Sequence, residues 1–129
     1  MPKRAGITAL VLVLAFALLS FPVLAAPPES PAPIDPAAQA KADYQEALKR
    51  IQAGRNDEAL VLLERALKAL PNDRHLQADY AQCLVWTGAY QKAVEFYGAR
   101  EKDLRQIRYI PRHIAKAYYE LREYPKALE

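Results

Sequence analysis

The chain contains few of the residues that ordinarily support covalent chemistry. Cys83 is its only cysteine, which excludes an intramolecular disulfide, and its place in an apolar helical pattern favours a small buried side chain over a reactive thiol. Beyond residue 25 the only serine is Ser30, which lies among prolines and has no scaffold for acyl transfer. The two histidines, His75 and His113, belong to no metal-binding pattern. The sequence therefore predicts a non-enzymatic protein without a metal or cofactor.

Glycine and net charge are also low. The four glycines form no phosphate-binding loop. The formal net charge is +3, from 18 basic and 15 acidic residues. Two of the basic residues, Lys3 and Arg4, precede the apolar run that starts the chain, and without them 16 basic residues face 15 acidic ones, a net charge of +1. Nucleic-acid binding thus loses its main electrostatic argument.

The first 25 residues have the three-part layout of a secretory signal. A short basic start is followed by an apolar run from Ala5 to Phe21 and then by small residues. We predict that residues 1–25 are a signal peptide, with cleavage after Ala25 and export of the remaining chain. The alternative is an uncleaved membrane anchor, at the short limit for spanning a bilayer. Five prolines between residues 27 and 36 then predict an extended linker over residues 26–36.

From residue 37 onward, small residues recur with a period of 34. Two sets of alanines keep this step, namely Ala47, Ala81 and Ala115, and Ala59, Ala93 and Ala127. A period of 34 with small residues at two fixed phases is typical of stacked helix–turn–helix units, in which two helices cross too closely for larger side chains. We therefore predict an all-α solenoid of about two and a half repeats over residues 37–129, with repeats at about 40–73, 74–107 and 108–129.

The apolar spacing and the breakers predict where each helix begins and ends. Asp35-Pro36 predicts the start of a helix that stops at Gly54, and a second helix runs from about 57 to 70. A third spans about 74 to 87, with Asp73 as its cap. The helix that opens near residue 90 is expected either to fray near Gly98 or to end early and lead into an irregular connector through residue 104. A further helix begins near residue 110, and another opens at residue 124.

The third repeat is incomplete within this sequence. It leaves an apolar edge uncovered at Tyr118, Tyr124, Ala127 and Leu128. Solenoids normally close such an edge with a polar capping helix. We therefore expect this chain to be the front part of a longer protein.

These units resemble the tetratricopeptide repeat family. The first unit has Ala47, Gly54, Ala59, Ala66 and Pro71 at signature positions; the second has Ala81, Leu84, Gly88, Tyr90 and Ala93, and the third Ala115, Tyr118, Tyr124 and Ala127. The sequence departs from the family pattern in lacking a tryptophan at the fourth position of each unit and in having Arg100 for alanine and Arg122 for glycine.

The resemblance implies a binding groove lined by the first helix of each unit. Carried onto this chain, the groove positions include Tyr44, Gln82, Trp86, Arg112, Lys116 and Tyr119. Rings, amides and cations of this kind suit an extended peptide or sugar rings. The alternatives are that Tyr44, Trp86 and Tyr119 only seal the contact between neighbouring first helices and that the two cations are merely solvated.

A narrower resemblance concerns residues 79–90 and 112–124, which look like the periplasmic repeat region of outer-membrane export porins for poly-β-1,6-N-acetylglucosamine. It implies a periplasmic scaffold that binds envelope proteins or the polysaccharide, with membrane contact only through the signal peptide or a C-terminal barrel outside this sequence. One alternative is a periplasmic adaptor for envelope or cytochrome assembly. Another is the accessory region of an enzyme whose catalytic domain lies beyond Glu129.

Overall fold

The computed structural model describes residues 32–129, so the predicted signal peptide and residues 26–31 of the predicted linker lie outside the described residues. The described part contains seven helices and no strand: α1 (Pro36–Gln52), α2 (Asn56–Ala69), α3 (Arg74–Trp86), α4 (Tyr90–Gly98), α5 (Glu101–Leu104), α6 (Ile110–Glu120) and α7 (Tyr124–Ala127). This confirms the predicted all-α fold. The predicted helix ends agree within a residue or two, but the short α5 forms inside the segment expected to be an irregular connector. No helix in this part is long and apolar enough to cross a membrane.

The predicted caps start the first helix of the first two repeats. Asp35 accepts a hydrogen bond from the backbone N–H of Ala37, and Pro36 occupies the first helical position, where its missing N–H costs nothing. Asp73 accepts from the backbone N–H groups of His75 and Leu76, at 3.0 and 3.1 Å. Each cap satisfies donors that the first helical turn cannot pair internally.

The turns inside the hairpins repeat even where the sequence does not. Gly54 and Gly88 end the first helices with positive φ values of 73° and 82°, and Arg122, one period later, takes the same left-handed conformation with φ 61°. Only glycine adopts this conformation without a steric cost from Cβ. The backbone geometry of the turn is therefore kept at a position where the sequence departs from the family.

Helices α1 and α2 form an antiparallel hairpin whose register is shown by two ion pairs. Asp43 pairs with Arg65 near one end, and Arg50 pairs with Glu58 near the turn. The Asp43 carboxylate is buried and accepts two bonds from the Arg65 guanidinium, at 2.5 and 2.8 Å. These bonds hold the pKa of Asp43 below its usual value, against the opposing effect of burial.

The repeating alanines lie where the helices pack. In the first two repeats Ala47, Ala59, Ala81 and Ala93 have no solvent exposure. In the third repeat Ala115 and Ala127 are only half-buried, contrary to the expectation that every alanine of the two sets is enclosed. The reason is that α7 covers α6 with four residues, whereas α2 and α4 cover the preceding first helices with fourteen and nine.

The second hairpin is broken as predicted. Helix α4 ends at Gly98, and the short α5 follows after two residues. Leu104 anchors the connector because its side chain is completely buried. The period is nevertheless preserved, since α3 ends at Trp86 and α6 ends at Glu120, one full repeat later. The irregular segment therefore changes the path of the chain between repeats without shifting the third first helix out of phase.

Ala81 is the position at which the packing argument is most easily tested. Ala81→Leu is expected to lower the free energy of unfolding by about 1–3 kcal/mol, because α3 is packed on three sides and cannot accommodate a larger side chain without displacement. With so few stacked units to support one another, this loss should reduce the helical circular dichroism signal at ambient temperature. Ala42→Leu, at an exposed position of α1, is the control and should leave the signal unchanged. Equal stability of the two variants would contradict the assigned crossing points.

Candidate partner-binding face

The first helices of the three repeats, α1, α3 and α6, lie side by side. Asp79 on α3 accepts hydrogen bonds from the hydroxyl groups of Tyr44 on α1 and Tyr109 just before α6, each at 2.5 Å. Farther along, Gln82 on α3 contacts His113 on α6. Because later residues of α3 meet later residues of α6, the two helices run in the same direction. We call the exposed side of α1, α3 and α6 the first-helix face.

Tyr44 uses its polar end inside the protein. Its side chain is half-buried, and burial together with the Asp79 carboxylate raises the pKa of its hydroxyl above the usual value. The same two causes raise the pKa of Tyr109. Both hydroxyls therefore remain protonated and donate to Asp79. Of the residues predicted to line the groove, Tyr44 thus offers a partner its ring but not its hydroxyl, which agrees with the alternative that it seals a contact between first helices.

Gln82, Trp86 and His113 form a polar and aromatic cluster between α3 and α6. The Nε2 atom of Gln82 lies 2.7 Å from the Nε2 atom of His113, and the Trp86 ring meets the imidazole edge-on, with centroids 5.5 Å apart. Since an amide nitrogen only donates, His113 Nε2 accepts this bond and the imidazole is neutral. Burial lowers the pKa of His113, and the positive charges of Arg112 and Lys116 lower it further. Trp86 keeps 40% of its surface exposed.

Arg112, Lys116 and Tyr119 are exposed on α6. Arg112 and Lys116 are one helical turn apart, and neither forms a side-chain hydrogen bond or an ion pair within the described residues. Tyr119 is 62% exposed and packs edge-to-face against Tyr124, with ring centroids 5.5 Å apart. The structure therefore brings Gln82 and Trp86 together around His113, with two cations and a second aromatic ring beside them. Tyr44 lies on the neighbouring helix, joined to this group through Asp79.

A cleft of about 410 Å³ lies at the end of the first-helix face where α3 and α6 begin. It is lined by Arg74 and His75 from α3 and by residues 106–109 from the irregular connector. Arg74 and Arg108 are one repeat period apart and so occupy equivalent repeat positions. The connector therefore places two arginines of successive repeats in one depression.

Behind this face, the Cys83 thiol belongs to the packed interior of the protein. The Cys83 thiol is buried and donates to the backbone carbonyl of Asn56, with Sγ and O 3.1 Å apart. Burial raises the pKa of this thiol to about 11, so it is protonated near neutral pH and a poor nucleophile. In residues 32–129 no cluster of three or more His, Cys, Asp or Glu side chains is placed to hold a metal ion.

Two features of this face were not predicted from the sequence. The first is Asp79, whose bonds to Tyr44 and Tyr109 join positions at separations of 35 and 30, neither of which is the repeat period. No periodic signal in the sequence marks such pairs. The second is the pair of arginines in the cleft. These could have been found, because Arg74 and Arg108 keep the period of 34.

The comparison with known families agrees with this geometry. Residues 50–111 match the tetratricopeptide repeat model, from the last turn of α1 to the start of α6. The hairpins of this segment are tetratricopeptide repeats. No curated protein matches the chain. Tetratricopeptide repeats are in general non-catalytic modules that bind protein partners.

His113 supplies a test of the contact between α3 and α6. In a His75→Gln variant, which retains one imidazole, NMR titration should give a midpoint for His113 below the ordinary value of 6.5. His113 then has a lower pKa in the folded chain than in the unfolded chain, so the unfolded chain is protonated at a higher pH. The neutral histidine therefore contributes to the free energy of unfolding above about pH 6.5, and this contribution is lost as the pH falls through the pKa of the folded chain. The same variant unfolded in urea is the control. A folded midpoint at or above the unfolded one would contradict the cluster geometry.

Proposed function

We propose that the first-helix face holds an extended segment of a partner protein, so that the chain acts as a non-enzymatic scaffold. The observation that carries this proposal is the exposure of Trp86 and Tyr119 on neighbouring first helices. Beside them lie the exposed cations Arg112 and Lys116, which pair with no acidic side chain of residues 32–129. Large rings that remain accessible beside polar groups are frequent anchors of protein interfaces.

The rigidity of the face supports the same function. Side chains of this face are held by specific contacts, because the Asp79 carboxylate accepts from two tyrosine hydroxyls and His113 contacts both the Gln82 amide and the Trp86 ring. A partner that docks on such a surface does not have to order it first. Binding to such a surface therefore costs less conformational entropy than binding to a mobile surface does.

The proposed location is the periplasm. It is supported by the layout of residues 1–25 as a secretory signal and, in a finer form of the proposal, by the likeness of residues 79–90 and 112–124 to export porins for poly-β-1,6-N-acetylglucosamine. In that form the chain belongs to an outer-membrane polysaccharide exporter, and the first-helix face holds an envelope protein or the passing polymer.

The two exposed rings are the residues to change first. Peptides that bind the full chain are selected from a random display library, and their affinities are then measured for Trp86→Ala/Tyr119→Ala. We expect at least about tenfold weaker binding, because buried aromatic anchors dominate interface energies. Helical circular dichroism should be retained, since neither side chain belongs to the buried core: Tyr119 is 62% exposed and Trp86 40% exposed in the free protein.

Val61→Ala is the matched control for this experiment. Val61 is 64% exposed on α2, away from the first helices, so its truncation removes exposed apolar surface without altering the face. The control should bind the selected peptides as the original chain does. Unchanged affinity in the double variant, or equal loss in the control, would exclude the first-helix face as the binding site.

The exporter form is tested by titration with N-acetylglucosamine oligomers. NMR signals of the Trp86 indole and the Tyr119 ring should shift on addition of the oligomers if the polymer passes over this face. A response to peptides but not to the sugar would favour the envelope or cytochrome-assembly adaptor instead. Expression of the full chain in a bacterial host should give a periplasmic product that begins at Ala26, and an intact chain in the cytosol would overturn the proposed location.

A further inference from the structure

We propose that the partner segment is acidic, and that its carboxylates lie between Arg74 and Arg108 in the cleft at the start of α3 and α6 and continue past Arg112 and Lys116. This inference rests on the proposed function and names the chemistry of the partner. It follows from how charge is distributed over the first-helix face.

The first observation concerns which basic side chains of the described residues form ion pairs. Six basic side chains elsewhere in the fold are neutralised by an acidic neighbour, namely Lys49, Arg50, Arg55, Arg65, Lys92 and Lys126. Arg74, Arg108, Arg112 and Lys116 form no ion pair within residues 32–129 and are all exposed. Ten of the 16 basic side chains in this part of the chain form no ion pair, and four of the ten lie along α6 and beside the start of α3.

The second observation is that the acidic side chains of α3 and its cap are turned towards internal partners. Asp73 caps α3 by accepting two backbone N–H groups, and Asp79 accepts two tyrosine hydroxyls. Among the described residues, neither pairs with an arginine of the cleft. Glu120, the exposed acidic residue of α6, lies at the opposite end of that helix, about 18 Å along the axis from Arg108 at 1.5 Å per residue. The guanidinium groups of Arg74 and Arg108 thus form no ion pair within residues 32–129 and are available to the carboxylates of a partner.

The third observation is the shape that holds the two arginines. The cleft of about 410 Å³ is lined by Arg74 and Arg108 together with Ile107 and Tyr109. A guanidinium presents a planar fork of donors that matches a carboxylate, and two such forks across one depression suit carboxylates on a single extended segment. The extended partner segment then runs along the contact between α3 and α6, where its apolar side chains meet Trp86 and Tyr119.

Charge complementarity of this kind acts mainly through specificity and association rate. Exposed ion pairs are individually weak, and salt screens them over about 10 Å at 0.1 M ionic strength. Acidic partners should therefore be preferred over neutral ones by a moderate factor that falls as salt is added. The aromatic contacts are insensitive to salt, so the charge preference is separable from binding itself.

The test uses the full chain and three fluorescent synthetic peptides of one length and one scaffold, in which alternate positions carry glutamate, glutamine or lysine and the others carry alanine and leucine. Fluorescence anisotropy should show the glutamate peptide binding most tightly, with an affinity that falls as sodium chloride is added. Arg74→Gln/Arg108→Gln should weaken that binding by about twofold to thirtyfold, as expected for the loss of two exposed ion pairs.

The matched control is Lys68→Gln/Lys102→Gln, which also removes two exposed cations but lies on α2 and α5. It should bind the glutamate peptide as the original chain does. Circular dichroism of both variants should match that of the original chain, because all four side chains are exposed.

Several results would overturn the acidic preference. Equal weakening in the control would show a general effect of net charge. Equal binding of the glutamate and glutamine peptides, with both lost in Trp86→Ala/Tyr119→Ala, would reject the acidic preference while leaving the proposed function intact. Tighter binding of a single-stranded oligothymidylate than of the glutamate peptide would make the basic part of the first-helix face a nucleic-acid site. If no synthetic or selected peptide binds, both the inference and the proposed function fail.

Discussion

The close approach of paired helices at alanine positions is the constraint on which the other features of this structure depend. Ala47 and Ala59 in the first hairpin, and Ala81 and Ala93 in the second, are completely enclosed. A methyl group at these points lets the helix axes come close enough for larger side chains such as Leu63 and Leu84 to fill the spaces beside them. Stacking at a constant period then brings the first helices together, and this places their exposed residues on one continuous face.

Hydrogen-bonded polar groups fix this packing without being part of the apolar core. Besides the pair of Asp43 and Arg65 within the first hairpin, Glu64 on α2 accepts from the Tyr80 hydroxyl and the Lys92 ammonium group. These bonds lower the pKa of Glu64 and join three successive helices. Such contacts are directional, so they set the relative rotation of helices that apolar packing alone would leave less defined. The orientation of the first-helix face follows from that rotation.

The architecture could be predicted from the sequence because the repeat period reflects where the helices pack against one another. The constant step between repeats, the positions of Gly54 and Gly88, and the capping residues Asp35 and Asp73 predicted the helices and their order, except for the short α5 in the connector. The details of the face were less accessible, because they depend on pairs of residues at different repeat phases. The bonds between Asp79 and its tyrosines are of this kind. So is the contact between Gln82 and His113, which depends on the rotation of α3 against α6.

The two tyrosine bonds to Asp79 also bear on cooperativity. In a solenoid whose units touch only their neighbours, an end unit is able to detach while the remainder stays folded. Here a single carboxylate in the middle unit is shared by hydroxyls from the units on either side. Loss of either outer unit removes one of its two donors and exposes the other to water. The three units are therefore linked through one acceptor, which favours melting in a single transition over fraying from the ends.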